Sequence, residues 1–444
     1  MTAPVALCAA VLAAAGARSA ASIVPARVDA ALLLDGAQAA PGLRPFLDGV
    51  AQRAPALSPA SYLAAAVGPD LVGDPVSWGL ARAGPRAVVM TSGAFALTAP
   101  VRDAKAARAA LDAWLRQAGP VRSRSIAGRT AFWSGDGRRV RIGLVASVGG
   151  SVRLVTASGA DAAALAGALA QIGGKNAAFP PLSGDDAFRE ALAQLTAPAA
   201  LVLRGSNPLR GAALRLAGSA DGLVATGLVL APGPLVSDGA PDASACADAT
   251  LFCLRAALGP AGRDALALAA RAYLSAALPA QEREAFSGVA ARSAAVAEQL
   301  VVRSDGADAR LLTDSATPWP ALRLWAASSP SLDGANADSE GARPSCIRSD
   351  ATRTWFAVPC LETVPADLAA KQGEPGVDAT LNLAAIDAVL QKLTPLDVIH
   401  GGMAAGLYAG RLTAGGLLRR SGPVHLRGAA HPAGAQVELR WPLH

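Results

Sequence analysis

The sequence predicts an α+β protein, with antiparallel β-meanders carrying Ala/Leu-rich helices packed on one face, and with two lobes that a short internal repeat marks as sharing one plan. Three observations carry that expectation. A helical pattern with one apolar face begins at Asp103 and is stopped by Gly119-Pro120. Apolar and β-branched runs joined by glycine turns follow between 129 and 156. The chain closes on a two-residue alternation, with Val437, Leu439 and Trp441 set against Gln436, Glu438 and Arg440. That period gives one buried and one wet face, as in an antiparallel sheet.

Taken in order, residues 28–34 (Val-Asp-Ala-Ala-Leu-Leu-Leu) read as a strand before a helical segment. Residues 377–383 (Val-Asp-Ala-Thr-Leu-Asn-Leu) match them at five of seven positions, and 199–204 has the same shape. Strands are expected at 87–90 and 94–97. Asp103 then caps a helix to Ala118 in which Ala107, Leu111, Trp114 and Leu115 share one side and Arg108, Asp112 and Arg116 the other. A meander follows: 129–133, a turn at 134–137, 138–148, a Gly149-Gly150 turn and 151–156. Further helices are expected at 159–172, 185–195 and 260–278. Further strands fall at 222–230, 424–427 and 436–441, with a hairpin over 299–312. The implied organisation is a leader at 1–21, an N-terminal lobe at 22–180, a helix-rich middle at 181–327, a linker-like Ser/Asp/Gly/Pro stretch at 328–345 and a C-terminal segment at 346–444 completing a second lobe.

The 444 residues are 52% hydrophobic but only 4% aromatic, so the core is built from Leu, Val and Ala; charged residues at 17% exclude a disordered chain and a coiled coil. Of 40 basic residues only Lys105, Lys175, Lys371 and Lys392 are lysines. That Arg excess follows the same GC-rich codon bias as the Ala, Gly and Pro content, so the distribution of arginines carries more information than their total.

Residues 3–17 form an uncharged apolar run followed by small residues, the pattern of a secretory leader with cleavage before Arg18 or Ser22. The run is too short to span a bilayer comfortably, and no later stretch reaches 18 apolar residues, so no transmembrane segment is expected in the mature chain. The protein is therefore expected to be periplasmic or secreted. Cys8 leaves with the leader, and the four remaining cysteines read as two local disulfides, Cys246 with Cys253 and Cys346 with Cys360.

Sequence motifs name no reaction, cofactor or metal. There is no G-x-S-x-G elbow, S-x-x-K or H-E-x-x-H. Gly173-Gly174-Lys175-Asn176 lacks the hydroxyl a phosphate loop needs, and Gly135-Asp136-Gly137 is a turn between strands. The acidic loop Asp333, Asn336, Asp338 and Glu340 lacks calcium-loop spacing. Asp397-Val398-Ile399-His400-Gly401-Gly402 has the look of an esterase oxyanion loop, which makes a hydrolase working through Asp397 and His400 the alternative reading.

The strongest local departure from background is basic. Arg122, Arg124, Arg129, Arg138, Arg139, Arg141 and Arg153 accompany the single acid Asp136, with Phe132 and Trp133 among them. A weaker set follows at Arg411, Arg419, Arg420, Arg427 and Arg440. The seven form the candidate anion-binding surface of an exported, non-enzymatic envelope protein, whose partners would be an anionic lipid, a polysaccharide or an acidic protein face and not nucleic acid. An apolar groove between helix and sheet would add a lipid-like ligand to that list.

Overall fold

The computed structural model describes residues 19–36, 39–55, 58–71, 74–135, 140–148, 151–172, 179–195, 199–237, 240–241, 251–277, 299–304, 309–313, 346–349, 354–358, 372–374, 376–391 and 414–444. The leader, the 328–345 stretch, Arg138, Arg139, Lys175, Asp397 and His400 lie outside them. The described chain is mixed α+β with extensive antiparallel sheet, and it divides into two compact units, 1–205 with 212–220 and 206–211 with 221–444. Residues 179–195 and 199–204 fall in the first unit.

In the first unit the strands are β1 (Ala30–Leu34), β2 (Arg86–Thr91), β3 (Ala94–Pro100), β4 (Arg122–Ile126), β5 (Arg129–Ser134), β6 (Arg141–Val148), β7 (Ser151–Gly159) and β8 (Ala199–Arg204). They pair antiparallel throughout in the order β8-β1-β2-β3-β7-β6-β5-β4. The helices are α1 (Ala39–Arg53), α2 (Pro59–Val67), α3 (Ala104–Arg116), α4 (Ala162–Gln171) and α5 (Asp186–Gln194), and β9 (Gly211–Ser219) lies with them.

The expected burial pattern of α3 is the observed one. Ala107, Leu111, Trp114 and Leu115 are its buried residues, and the Asp103 carboxylate caps it by accepting from Lys105 N at 2.9 Å and Ala106 N at 3.0 Å. Where the structure departs from expectation is the placement of helices. Leu154, Val155, Thr156 and Ala157 of β7 are all wholly buried, which an alternating strand shows only when both its faces are covered. Gly143 and Thr156, register partners on one face, meet Leu111 of α3 and the Val67 carbonyl of α2; α4 packs against the same strands from the other side. Helices packed on one face only are thus corrected for the centre of this sheet. The cause is legible in β7 itself, whose run from Leu154 to Ala157 gives no polar residue a solvent face.

The second unit holds β10 (Gly222–Leu230), β11 (Ala240–Pro241), β12 (Phe252–Ala257), β13 (Gln299–Ser304), β14 (Ala309–Thr313), β15 (Cys346–Ser349), β16 (Thr354–Val358), β17 (Gln372–Glu374), β18 (Val377–Leu381), β19 (Val424–His431) and β20 (Gly434–Pro442). Helices α6 (Pro260–Ala277) and α7 (Leu383–Leu390) accompany them. All but β11 and β17, which pair with each other, run antiparallel in the order β10-β20-β19-β18-β12-β13-β14-β16-β15. Among the described residues no helix is long and apolar enough to cross a membrane.

Candidate functional site

The meander of the first unit opens. β6 pairs with β7 along its whole length, from Arg141↔Ser158 to Val148↔Ser151, and β4 pairs with β5 along all of β4. β5 pairs with β6 at three positions only: Phe132↔Gly143, Trp133↔Ile142 and Ser134↔Arg141. Beyond Phe132 the β4–β5 hairpin therefore leaves the sheet, and the two strands splay.

Helix α3 bridges the base of that opening, and two residues of β6 hold it there. Gly143 lacks the side chain that would obstruct it: a Cβ at that position would sit 2.2 Å from Leu111 Cδ1. Arg141 ties down the C-terminal end, donating to the Trp114 carbonyl at 2.7 Å and to Gln117 Oε1 at 3.2 Å, with its guanidinium 4.8 Å from the centre of the Trp114 ring. The loss of water around this guanidinium lowers its pKa.

A groove of about 520 Å³ results. Leu111 and Leu115 of α3 line it with Val145 and Ala146 of β6, and Phe132 stands at its side with 39% of its surface still exposed. The polar lining is Thr130 together with Arg108, Asp112 and Arg129. Asp112 is occupied, its carboxylate accepting from Arg116 Nε at 2.6 Å, a contact that raises the Arg116 pKa. Arg129 reaches across the splayed strands and donates to the Ser147 carbonyl at 2.5 Å. Among the described residues no ion pair involves Arg108, Arg122, Arg124 or Arg129.

Of the seven arginines singled out in the sequence, Arg138 and Arg139 lie outside the described residues, and the other five do not share one surface. Arg122 and Arg124 are exposed on the edge strand β4, with Arg122 over the Trp133 ring at 5.5 Å, and Arg129 belongs to the groove. Arg141 anchors α3. Arg153 is 1% exposed and forms part of the core, donating from Nε to Thr98 Oγ1 at 2.9 Å and from Nη2 to the Pro85 carbonyl at 2.6 Å. Its burial beside neutral acceptors lowers its pKa to about 10, so it still carries its proton at neutral pH. The acids Asp185 and Asp186 face elsewhere, toward Arg204 and Arg189 respectively. In the C-terminal set, Arg419, Arg427 and Arg440 each pair with an acid, respectively Asp387, Asp378 and Glu438, and Arg411 lies outside the described residues.

Sequence reasoning placed Arg108 on the wet face of α3 but did not connect it to a site. The available signal was Gly143, a residue without a side chain inside a strand run, which marks a close approach of another element. Among the described residues there is no cluster of His, Cys, Asp or Glu able to hold a metal ion. Cys253 is fully buried on β12 and disulfide-bonded; the side chains of Cys246, Cys346 and Cys360 fall outside the described residues, and no pair is assigned. No family model, curated protein or solved structure matches the chain.

Proposed function

We propose that this chain is an exported, non-enzymatic binding protein of the cell envelope that holds an amphiphilic, anionic envelope component in the groove between α3 and the splayed β5 and β6. The observation that carries this reading is the combination in one concavity of an apolar lining, Leu111, Leu115, Phe132, Val145 and Ala146, with two arginines that no acid neutralises among the described residues. Ligand sites are typically apolar hollows of about 300–1,000 Å³ with a few oriented polar groups, and this groove has that size and character. Two other pockets among the described residues of this unit fit the role less well. One is lined by Phe95, Ser158 and Arg141, whose guanidinium is already engaged with α3; the other, at Trp78 and Trp114, has no charged lining residue.

The reading is tested by titrating the full chain with the neutral apolar fluorophore N-phenyl-1-naphthylamine. A saturable, one-site rise in emission that a single-chain amphiphile reverses is the expected result. A linear, non-saturating response would remove the groove as a binding site.

Export is the second part of the proposal, and the packing at 20–24 bears on where processing falls. Ala20, Ala21, Ile23 and Val24 are buried, and the Ala20 amide donates to Asp35 Oδ1 at 2.6 Å. Cleavage before Ser22 would remove Ala20 and Ala21 from that core, whereas cleavage before Arg18 leaves it whole. The mature protein is expected to begin at Arg18 by N-terminal sequencing; a start at Ser22 would contradict the packing argument, and a retained Met1 the export itself. The oxidising compartment would suit the local disulfides Cys246–Cys253 and Cys346–Cys360. A repeated plan also belongs to this proposal. β18 begins on its Val-Asp-Ala run, whereas Val28 and Asp29 precede β1; each strand is paired antiparallel on both sides, with one strand of a hairpin, β2–β3 or β19–β20, as a neighbour.

A further inference from the structure

The dimensions of the groove and the position of Arg129 narrow the ligand class, given the binding reading above on which this step rests. The groove of about 520 Å³ lies within the range of small-molecule sites. One alkyl chain with a small head is of that size. The head must be anionic, because Arg108 and Arg129 supply two positive charges while the single carboxylate in the lining, Asp112, is taken by Arg116.

Arg129 is the residue that can read the head. Its guanidinium reaches from β5 to β6 and is held by one neutral acceptor, the Ser147 carbonyl, with no ion pair among the described residues. A carboxylate is a stronger acceptor than a carbonyl for such a donor and matches the guanidinium fork in two parallel hydrogen bonds. We infer that Arg129 is the specificity-determining residue of the groove, exchanging the Ser147 carbonyl for the carboxylate of a single-chain fatty acid.

The experiment uses the full chain with N-phenyl-1-naphthylamine as reporter, and compares displacement by dodecanoate, dodecanol and dodecylammonium at low salt. Wild-type protein is expected to prefer dodecanoate over dodecanol by at least tenfold and to bind dodecylammonium most weakly. In Arg129→Gln the reporter still binds and the preference for carboxylate over alcohol collapses to within about twofold; Arg129→Lys, which restores the charge without the fork, recovers part of it. Equal displacement of a bound reporter by dodecanoate and dodecanol in wild type would overturn the inference while leaving the groove as an apolar site. So would an Arg129→Gln protein that keeps the full preference. A wild-type protein that does not bind the reporter at all fails at the earlier step, the groove itself.

Discussion

Exchanging Arg153 for glutamate is expected to destabilise the first unit by at least about 4 kcal/mol, a loss reserved for changes that strand a charge in a packed interior. The arginine is wholly enclosed, and its two hydrogen-bond partners are a hydroxyl and a backbone carbonyl. A carboxylate there would meet the Pro85 carbonyl oxygen, acceptor against acceptor, and would lose both hydrogen bonds that the guanidinium makes. For a unit of about 200 residues the corresponding fall in Tm is about 10 °C or more. Arg122→Glu is the matched control. That side chain is exposed on an edge strand and gives up one cation–π contact, so its cost stays within about 1 kcal/mol. Thermal melts of the two variants decide the matter: an Arg153→Glu protein that melts with the wild type would mean that Arg153 is not enclosed.

Filling the groove should abolish binding without touching the fold. Thr130 is exposed, lines the groove and stands opposite Ser125 in the β4–β5 register, so Thr130→Trp introduces a large ring where no core residue has to move. Aromatic residues are favoured in strands, and Tm should shift by no more than a few degrees. Affinity for N-phenyl-1-naphthylamine and for dodecanoate is expected to fall by at least tenfold, because the ring occupies the volume that the alkyl chain needs. Unchanged affinity in a normally folded Thr130→Trp protein would place the ligand elsewhere and remove the groove from consideration.

The two experiments separate roles that the local sequence runs together. Arg129 and Arg153 lie in the same basic stretch, yet one faces an opening in the sheet and the other faces the core. A residue's position in a strand states which neighbours alternate with it; whether that face meets water depends on what the rest of the chain lays over it. In β7 both faces are covered, and arginine on such a strand becomes a buried donor held by Thr98 and the Pro85 carbonyl.

Elements with local signals can be read from the amino-acid order alone. Asp103 and Gly119-Pro120 bound α3 because capping and helix termination act within a few residues, and the 3.6-residue spacing of Ala107, Leu111, Trp114 and Leu115 could bury only one side of that helix. The closing alternation likewise required an antiparallel strand, realised as β20 between β10 and β19. The covering of both faces of the first sheet by helices, the place of Arg153 in the core and the parting of β5 from β6 beside α3 emerge from the folded chain. The reason is physical: hydrogen-bond register between strands and the docking of helices are set by contacts between residues far apart in the chain. A local pattern fixes which side of an element is apolar, but the partner that covers it, or the gap where none does, is a property of the assembled fold.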